Sequence, residues 1–291
     1  MLNVPKLQRV GDCILRGMIK HLKIEVLSSS TLDSHYLDCV KFFIEFWLNV
    51  GKSNGLHFYP KVLLISNRIP SDLEKYSKYI ILFNDSRISN SFTSQVLRIL
   101  YPSLSNADLV MTSDIDMLPI KNKNIAKVLA GIYANSSNSE LLNDFVIFRD
   151  VLPPGQIPIC YNVGSPSTWQ ILNNCISESD VKNFLFNEYN KVRGFHFSGS
   201  SSSTWYRDQE ILFQLIEGSR EHINFISLND LVTGYRRLDR LSLKAPLHWF
   251  HLPKIIFGNF DSYHLHHPVS SHLFWYRTIL FIRRIAKSFD V

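Results

Sequence analysis

Apolar residues in the first half of the chain fall into two alternating rhythms. "LKIEVLSSST", from Leu22, is a mostly apolar run that ends in small polar residues, which predicts a strand opening into a loop. Asp33 or Ser34 then stands ready to cap a helix. Tyr36, Val40, Phe43, Trp47 and Val50 recur at helical spacing until Gly51 marks the stop. "PKVLLIS" and "KYIILF" have strand length, "SFTSQVLRILYPSL" reads as a helix ended by Pro102, and "ADLVMTSDIDM" reads as a further strand. Strand and helix alternate, which predicts an α/β fold with a mostly parallel sheet and helices on both faces. The second half is less regular. "FVIFRD" and "IPICYNVGSP" resemble strands. "RDQEILFQLIEG" is a helix with acids in its first turn, where the helix dipole favours them. "SGSSSS" is a flexible stretch ahead of Trp205, with the composition of a loop or lid.

No linker divides residues 1–270, so one continuous domain is expected there. Residues 271–291 read differently. In "HLFWYRTILFIRRIAKSF", Arg277, Arg283, Arg284 and Lys287 gather on one side of a helix, with Phe274, Phe281, Ile282, Ile285 and Phe289 on the other. Such a basic amphipathic tail can lie peripherally on an anionic membrane or pack on its own domain.

Composition narrows the class without naming a function. With 291 residues, 45% of them hydrophobic, the chain can bury a large core. The 19% of charged residues are scattered, which argues against global disorder. No run reaches the ~18 apolar residues of a membrane span. The N-terminal residues mix charge among their apolar positions, unlike a secretory signal. Cys13, Cys39, Cys160 and Cys175 are far apart and form no CxxC pair, so reduced thiols and a cytoplasmic location are expected. The net charge of +6 suits an anionic partner. No nucleic-acid motif is visible, and neither GxGxxG nor GxxxxGK occurs, so a nucleotide would be held by other means.

The chemistry concentrates at "SDIDM". In an extended segment residues i and i+2 point the same way, so Asp114 and Asp116 would face one point. Two such charges repel unless a cation lies between them. A divalent ion with oxygen ligands, Mg²⁺ or Mn²⁺, fits that need and keeps open positions for substrate phosphates. Two solvated aspartates at a strand end are the simpler reading of the pair alone. Haloacid-dehalogenase-type phosphatases also use a DxD, but near the N-terminus and with different following residues, so a phosphatase or phosphotransferase fits poorly.

Taken in order, these segments resemble nucleotide-sugar glycosyltransferases of the GT-A fold, most closely glycosyltransferase family 8, over roughly residues 23–268. The resemblance implies a single Rossmann-like domain, with a nucleotide-binding half at about 23–120 and an acceptor half at about 121–270. It implies donor contacts from Ser28, from Asp33 and Tyr36 of "DSHY", from Arg98, and from Asp114, which is shared between metal and ribose. Asp116 and His264 of "FDSYHLHHPVS" would hold the metal, with His266 and His267 as rivals. Asn162 and Gly164 of "CYNVGSP" and Trp205 would meet the sugar or acceptor. Asp208 and Gln209 of "WYRDQEILF" would be catalytic. The expected activity is metal-dependent transfer from a nucleoside-diphosphate sugar, a UDP-sugar above others, to a glycan, lipid-linked or protein acceptor. Retention is implied; inversion with Asp208 as base, or a binding protein without turnover, are the alternatives. The family's usual pyrophosphate lysine is missing, and Arg236, Arg237, Arg240 or Lys244 are the residues that would replace it.

Overall fold

The first apolar run forms β1 (Leu22–Thr31), which is buried from Ile24 through Ser30. Continuous burial follows from a central place in a sheet covered on both faces. This computed structural model describes residues 22–53, 56–121, 123–134, 143–192, 206–239, 253, 257, 260–265, 277, 279–282 and 284. Helix α1 (Ser34–Val50) begins where Asp33 accepts a 2.8 Å bond from the His35 N–H. It ends at Gly51, whose φ of 31° suits a residue without a side chain; a Cβ there would lie 3.0 Å from the Leu48 carbonyl oxygen. Val40, Phe43, Trp47 and Val50 are buried as the periodicity predicts. Asp33→Ala removes the cap and is expected to cost about 1 kcal/mol, read as a lower urea midpoint at unchanged slope.

The chain continues through β2 (Lys52–Ser53), β3 (Leu56–Ile65), a 3-10 turn (Ser71–Tyr79), β4 (Ile80–Phe83) and α2 (Asn90–Leu100). Pro102 lies in a second 3-10 turn (Tyr101–Leu104), so α2 stops two residues ahead of it. Next come β5 (Leu109–Thr112), β6 (Met117–Pro119), α3 (Lys123–Ala134), β7 (Asp144–Ile147), β8 (Asn162–Gly164), α4 (Pro166–Asn173) and α5 (Glu178–Val192). Then follow α6 (Arg207–Gly218), β9 (Asn224–Ser227), α7 (Asp230–Thr233), β10 (Arg237–Leu238) and β11 (Ser262–His264).

The large sheet has the order β2-β3-β1-β5-β8-β7-β9, with β4 also on β3. β4, β3, β1 and β5 are parallel to one another, and β9 is parallel to β7; β8 runs antiparallel to both β5 and β7. Side chains alternate between the faces. Ile24, Val26 and Met111 join a core with α1, whereas Leu27, Val110 and Phe145 join one with α2, α4, α5 and α6. This is the mostly parallel, helix-flanked α/β sheet expected from the sequence. After β4 the chain crosses through α2 to the far side of β1. That crossing makes the carboxyl ends of β1 and β5 a topological switch point, where such sheets bind ligands.

A second sheet joins distant parts of the chain. β11 pairs parallel with β10 and antiparallel with β6, so the strand just after the acid pair takes its neighbour from near residue 263. Near the C-terminus, residues 277, 279–282 and 284 are helical. Ile279 and Ile282 are buried in the core that holds Trp47, while Arg277 and Arg284 are exposed. The described part of this tail thus turns its apolar side to the protein. The rest of the expected 271–291 helix lies outside the described residues, as does "SGSSSS". Among the described residues no helix is long and apolar enough to cross a membrane.

Candidate active site

β5 ends at Thr112, and the Met117 N–H bonds the Asp114 carbonyl at 3.1 Å. The two acids therefore lie on a turn, not in the extended strand that the apolar run predicts, and they take different partners. Asp114 Oδ1 accepts from Arg98 Nη1 at 2.5 Å, and its Oδ2 accepts from Cys160 Sγ at 3.0 Å. Asp116 Oδ2 lies 3.1 Å from His264 Nε2. The Arg98 guanidinium offsets the charge of Asp114, and the His264 imidazole stands within hydrogen-bond distance of Asp116.

Arg98 sits in the last turn of α2, and its Nη2 also reaches Asp208 Oδ2 at 2.5 Å. Asp208 is in the first turn of α6 and is 1% exposed. Each charge occupies the helix end whose dipole favours it. Burial pushes the Asp208 carboxyl up, and Arg98 pulls against that shift. Burial likewise works against the Arg98 charge, but Asp114 and Asp208 outweigh it and its pKa moves up. Burial raises the Cys160 thiol well above its usual range, and Asp114 adds to the effect, so the sulfur stays protonated and donates.

β8 is fitted closely beside this cluster. Thr112 Oγ1 donates to the Ile159 carbonyl at 2.6 Å and accepts from the Asn162 N–H at 3.3 Å. Asn162 Nδ2 donates to Pro158 O at 2.7 Å, while its buried Oδ1 has no partner among the described residues. A Cβ at Gly164 would come within 3.1 Å of the Phe145 ring, so glycine lets β8 close on β7. Gln209 Oε1, Ser28 Oγ and Arg98 Nε are also buried without a partner among the described residues. Ser28 follows Leu27, whose carbonyl accepts from the Ser113 N–H at 2.9 Å. Unpaired acceptors and donors of this kind cost free energy until a polar ligand meets them.

The other expected residues are less central. Asp33 is exposed, with Oδ1 committed to the α1 cap. Tyr36 is half-buried against the core. Trp205, Arg240, Lys244, His266 and His267 lie outside the described residues. Arg236 is exposed, and Arg237 pairs with Asp239 at 2.9 Å. Among the described residues no three His, Cys, Asp or Glu side chains converge as a metal-ligand set. Asp116 and His264 remain as an adjacent pair. A carboxylate oxygen with an imidazole nitrogen is a donor set that fits Mn²⁺ better than Mg²⁺.

Sequence reasoning missed Cys160, Asp239 and Arg149. Arg149 is buried two residues past β7, with Nε and Nη2 on the Asp230 carboxylate at 2.8 and 2.6 Å and its guanidinium 4.8 Å from the centre of the Tyr235 ring. An arginine closing the apolar run "FVIFRD" was the available signal. The partners of Cys160 and Asp239 left none, because both depend on distant pairing.

No protein-family profile matches the chain, and no curated protein matches it. Among solved structures it is similar to the glycosyltransferase GlyE of Streptococcus pneumoniae TIGR4, at 14% identity and a TM-score of 0.47, over 93% of this chain and 64% of that one. The apo form of GlyE gives 13% and 0.45 over 93% and 63%. The galactosyltransferase LgtC in complex with donor and acceptor sugar analogues gives 11% and 0.42 over 92% and 96%. The chain spans a little under two thirds of the length of GlyE.

Proposed function

We propose that this protein is a glycosyltransferase that moves a sugar from a nucleoside-diphosphate donor, a UDP-sugar, to a glycan, lipid-linked or protein acceptor with retention of configuration. One observation carries the reading. Arg98, Asp114, Asp208 and, beside them, Asp116 with His264 come from four separate stretches of chain to the carboxyl end of β5. A structural role alone gives little reason to bury a guanidinium between two carboxylates there, since desolvation offsets most of the attraction.

In the reaction the bond between the anomeric carbon and the diphosphate oxygen breaks, and its electron pair leaves with the diphosphate. The acceptor oxygen bonds to the anomeric carbon, and its proton passes to a departing phosphate oxygen. Arg98 supplies fixed positive charge close to the developing anion, and Arg236, exposed just ahead of β10, adds more. Asn162 Oδ1 and Gln209 Oε1 offer acceptors to hydroxyls of the transferred sugar. A divalent cation, Mn²⁺ or Mg²⁺, would be held by Asp116 and His264 and would supply Lewis-acid stabilisation of the departing diphosphate.

Retention is favoured over inversion by the position of Asp208. A general base must reach the acceptor hydroxyl, whereas Asp208 is buried and paired with Arg98. A phosphatase using Asp114 as nucleophile is disfavoured because both its oxygens are engaged, one by Arg98 and one by Cys160.

A thermal-shift panel of nucleotide sugars, with and without Mn²⁺, tests the reading. At a hundredfold excess over Kd the right donor is expected to stabilise the fold by about 2.7 kcal/mol. No response from any donor under either condition would refute it. Stabilisation without sugar transfer or donor hydrolysis would identify a binding protein instead.

A further inference from the structure

The carboxyl edge of the large sheet carries more than the candidate site. β8 runs antiparallel to both β5 and β7, so β7 points the same way as β5, and β9 lies parallel to β7. The chain after β9 therefore emerges on the edge that holds Asp114 and Asp116. There it forms the single turn α7, which leaves Leu231 and Val232 95% and 53% exposed. Val151, which follows β7 on the same edge, is 46% exposed.

An isolated exposed leucine is ordinary. This turn differs because the chain around its apolar side chains is tied down. Asn229 Oδ1 accepts from the N–H groups of Leu231 and Val232 at 3.1 and 3.0 Å. The Asp230 carboxylate takes two Arg149 nitrogens at 2.8 and 2.6 Å. The Asp150 N–H bonds the Leu228 carbonyl at 2.6 Å, and Asn124 Nδ2 of α3 reaches the Gly234 carbonyl at 3.2 Å. The backbone thus holds two adjacent apolar side chains out in water, a loss of free energy until something covers them.

Shape and charge indicate the cover. Leu231 stands at a protruding tip. A partner protein would need a pocket matched to that tip, whereas a lipid surface yields to it. The exposed charge nearby is mostly positive. Lys123 and Lys127 flank Asn124 at an i,i+4 spacing and share one exposed side of α3, and Arg236 is exposed two residues after Gly234. Of the acids, Asp230 is taken up by Arg149, Asp239 by Arg237 at 2.9 Å, and Asp261 is buried. Asp150 is exposed and accepts from Ser227 Oγ. An apolar tip among cations suits an anionic lipid surface. The described part of the C-terminal tail does not offer this, since Ile279 and Ile282 are buried in the protein.

We propose that α7 is a lipid-docking element: Leu231 and Val232 enter the apolar layer of an anionic membrane, and Lys123, Lys127 and Arg236 meet its headgroups. The lipid contact stands without the function proposed above. Its use rests on that reading: the edge of the sheet with the candidate site then faces the membrane, where a lipid-linked acceptor is presented.

Co-sedimentation of the full chain with vesicles tests this, using equal parts of phosphatidylglycerol and phosphatidylcholine, or phosphatidylcholine alone, at low and high salt. Wild-type protein is expected to bind the anionic vesicles at low salt, and less at high salt or on the neutral ones. Leu231→Ser with Val232→Ser is expected to lower the partition about 10-fold or more, with the unliganded melt unchanged. Lys123→Gln with Lys127→Gln tests the charge without touching α7, and each loss should weaken binding about fivefold at low salt. Leu231→Phe keeps the apolar tip and should bind at least as well as the wild type. A wild type that stays in solution with anionic vesicles would overturn the proposal. So would binding unchanged in the serine pair, which would assign the contact to the tail, or in the glutamine pair. Self-association that the serine pair abolishes, without lipid binding, would identify a second copy of the chain as the cover instead. No sugar donor enters these measurements, so failure of the glycosyltransferase reading leaves them intact.

Discussion

Arg98→Met is expected to lower the stability of the protein by about 3–5 kcal/mol and to abolish sugar transfer. The first effect comes from what the variant leaves behind. Asp208 is 1% exposed and meets Arg98 at 2.5 Å; without the guanidinium it is a buried carboxylate with its ion-pair partner removed. Adding Asp208→Asn to the same chain removes the stranded charge and is expected to restore most of the lost stability. It is not expected to restore activity, because the positive charge near the departing diphosphate is still missing. Urea denaturation of the single and double variants, with a transfer assay on each, reads both effects. A single variant as stable as the wild type would mean that Asp208 is not buried in this way.

The two aspartates of the acid pair are expected to fail differently. Asp116→Ala removes a carboxylate beside His264 and leaves the Arg98–Asp208 contact in place. Transfer should fall by about 10²-fold or more, and stabilisation by Mn²⁺ should be lost. The unliganded melt should remain near that of the wild type. Asp114→Ala takes away one of the two counter-charges of Arg98 and the acceptor of the Cys160 thiol. It should therefore lower the unliganded melting temperature as well as the rate. Equal effects on the unliganded melts would contradict the division of partners described above.

The parts of the fold that were legible in the sequence share one property. β1, α1 and α6 carry their signal locally, as an apolar run, a 3.6-residue rhythm with a cap and a stop, or a first turn rich in acids. Of the α1 residues that recur at helical spacing, Val40, Phe43, Trp47 and Val50 line the core, and Cys39, Phe42, Ile44 and Phe46 widen the buried face beyond that rhythm. The strands β6, β8, β10 and β11 have two or three residues each, too few for any rhythm to appear, and they exist because a distant strand pairs with them. The site divides along the same line. Asp114, Asp116, Arg98, Asp208 and His264 could be named as candidates from the resemblance, but the sharing of Arg98 between Asp114 and Asp208 could not. The turn at Asp114–Met117 was hidden because the apolar character of β5 carries on through Ile115, Met117 and Leu118, which are buried beyond the strand. Asp239 has no local signal, because its meaning depends on the β10–β11 register.

The small sheet also sets an order of events on the ribosome. Asp116 and His264 are separated by 148 positions. At a synthesis rate of about 5–20 residues per second, roughly 7–30 s pass between the emergence of one and the other. During that interval β1, β3 and β5 have all been made, yet β6 waits for its partner strand. A nascent or prematurely terminated chain that ends before Ser262 is expected to form the early parallel strands and to lack the imidazole altogether, so the proposed centre is completed only once β11 has been made.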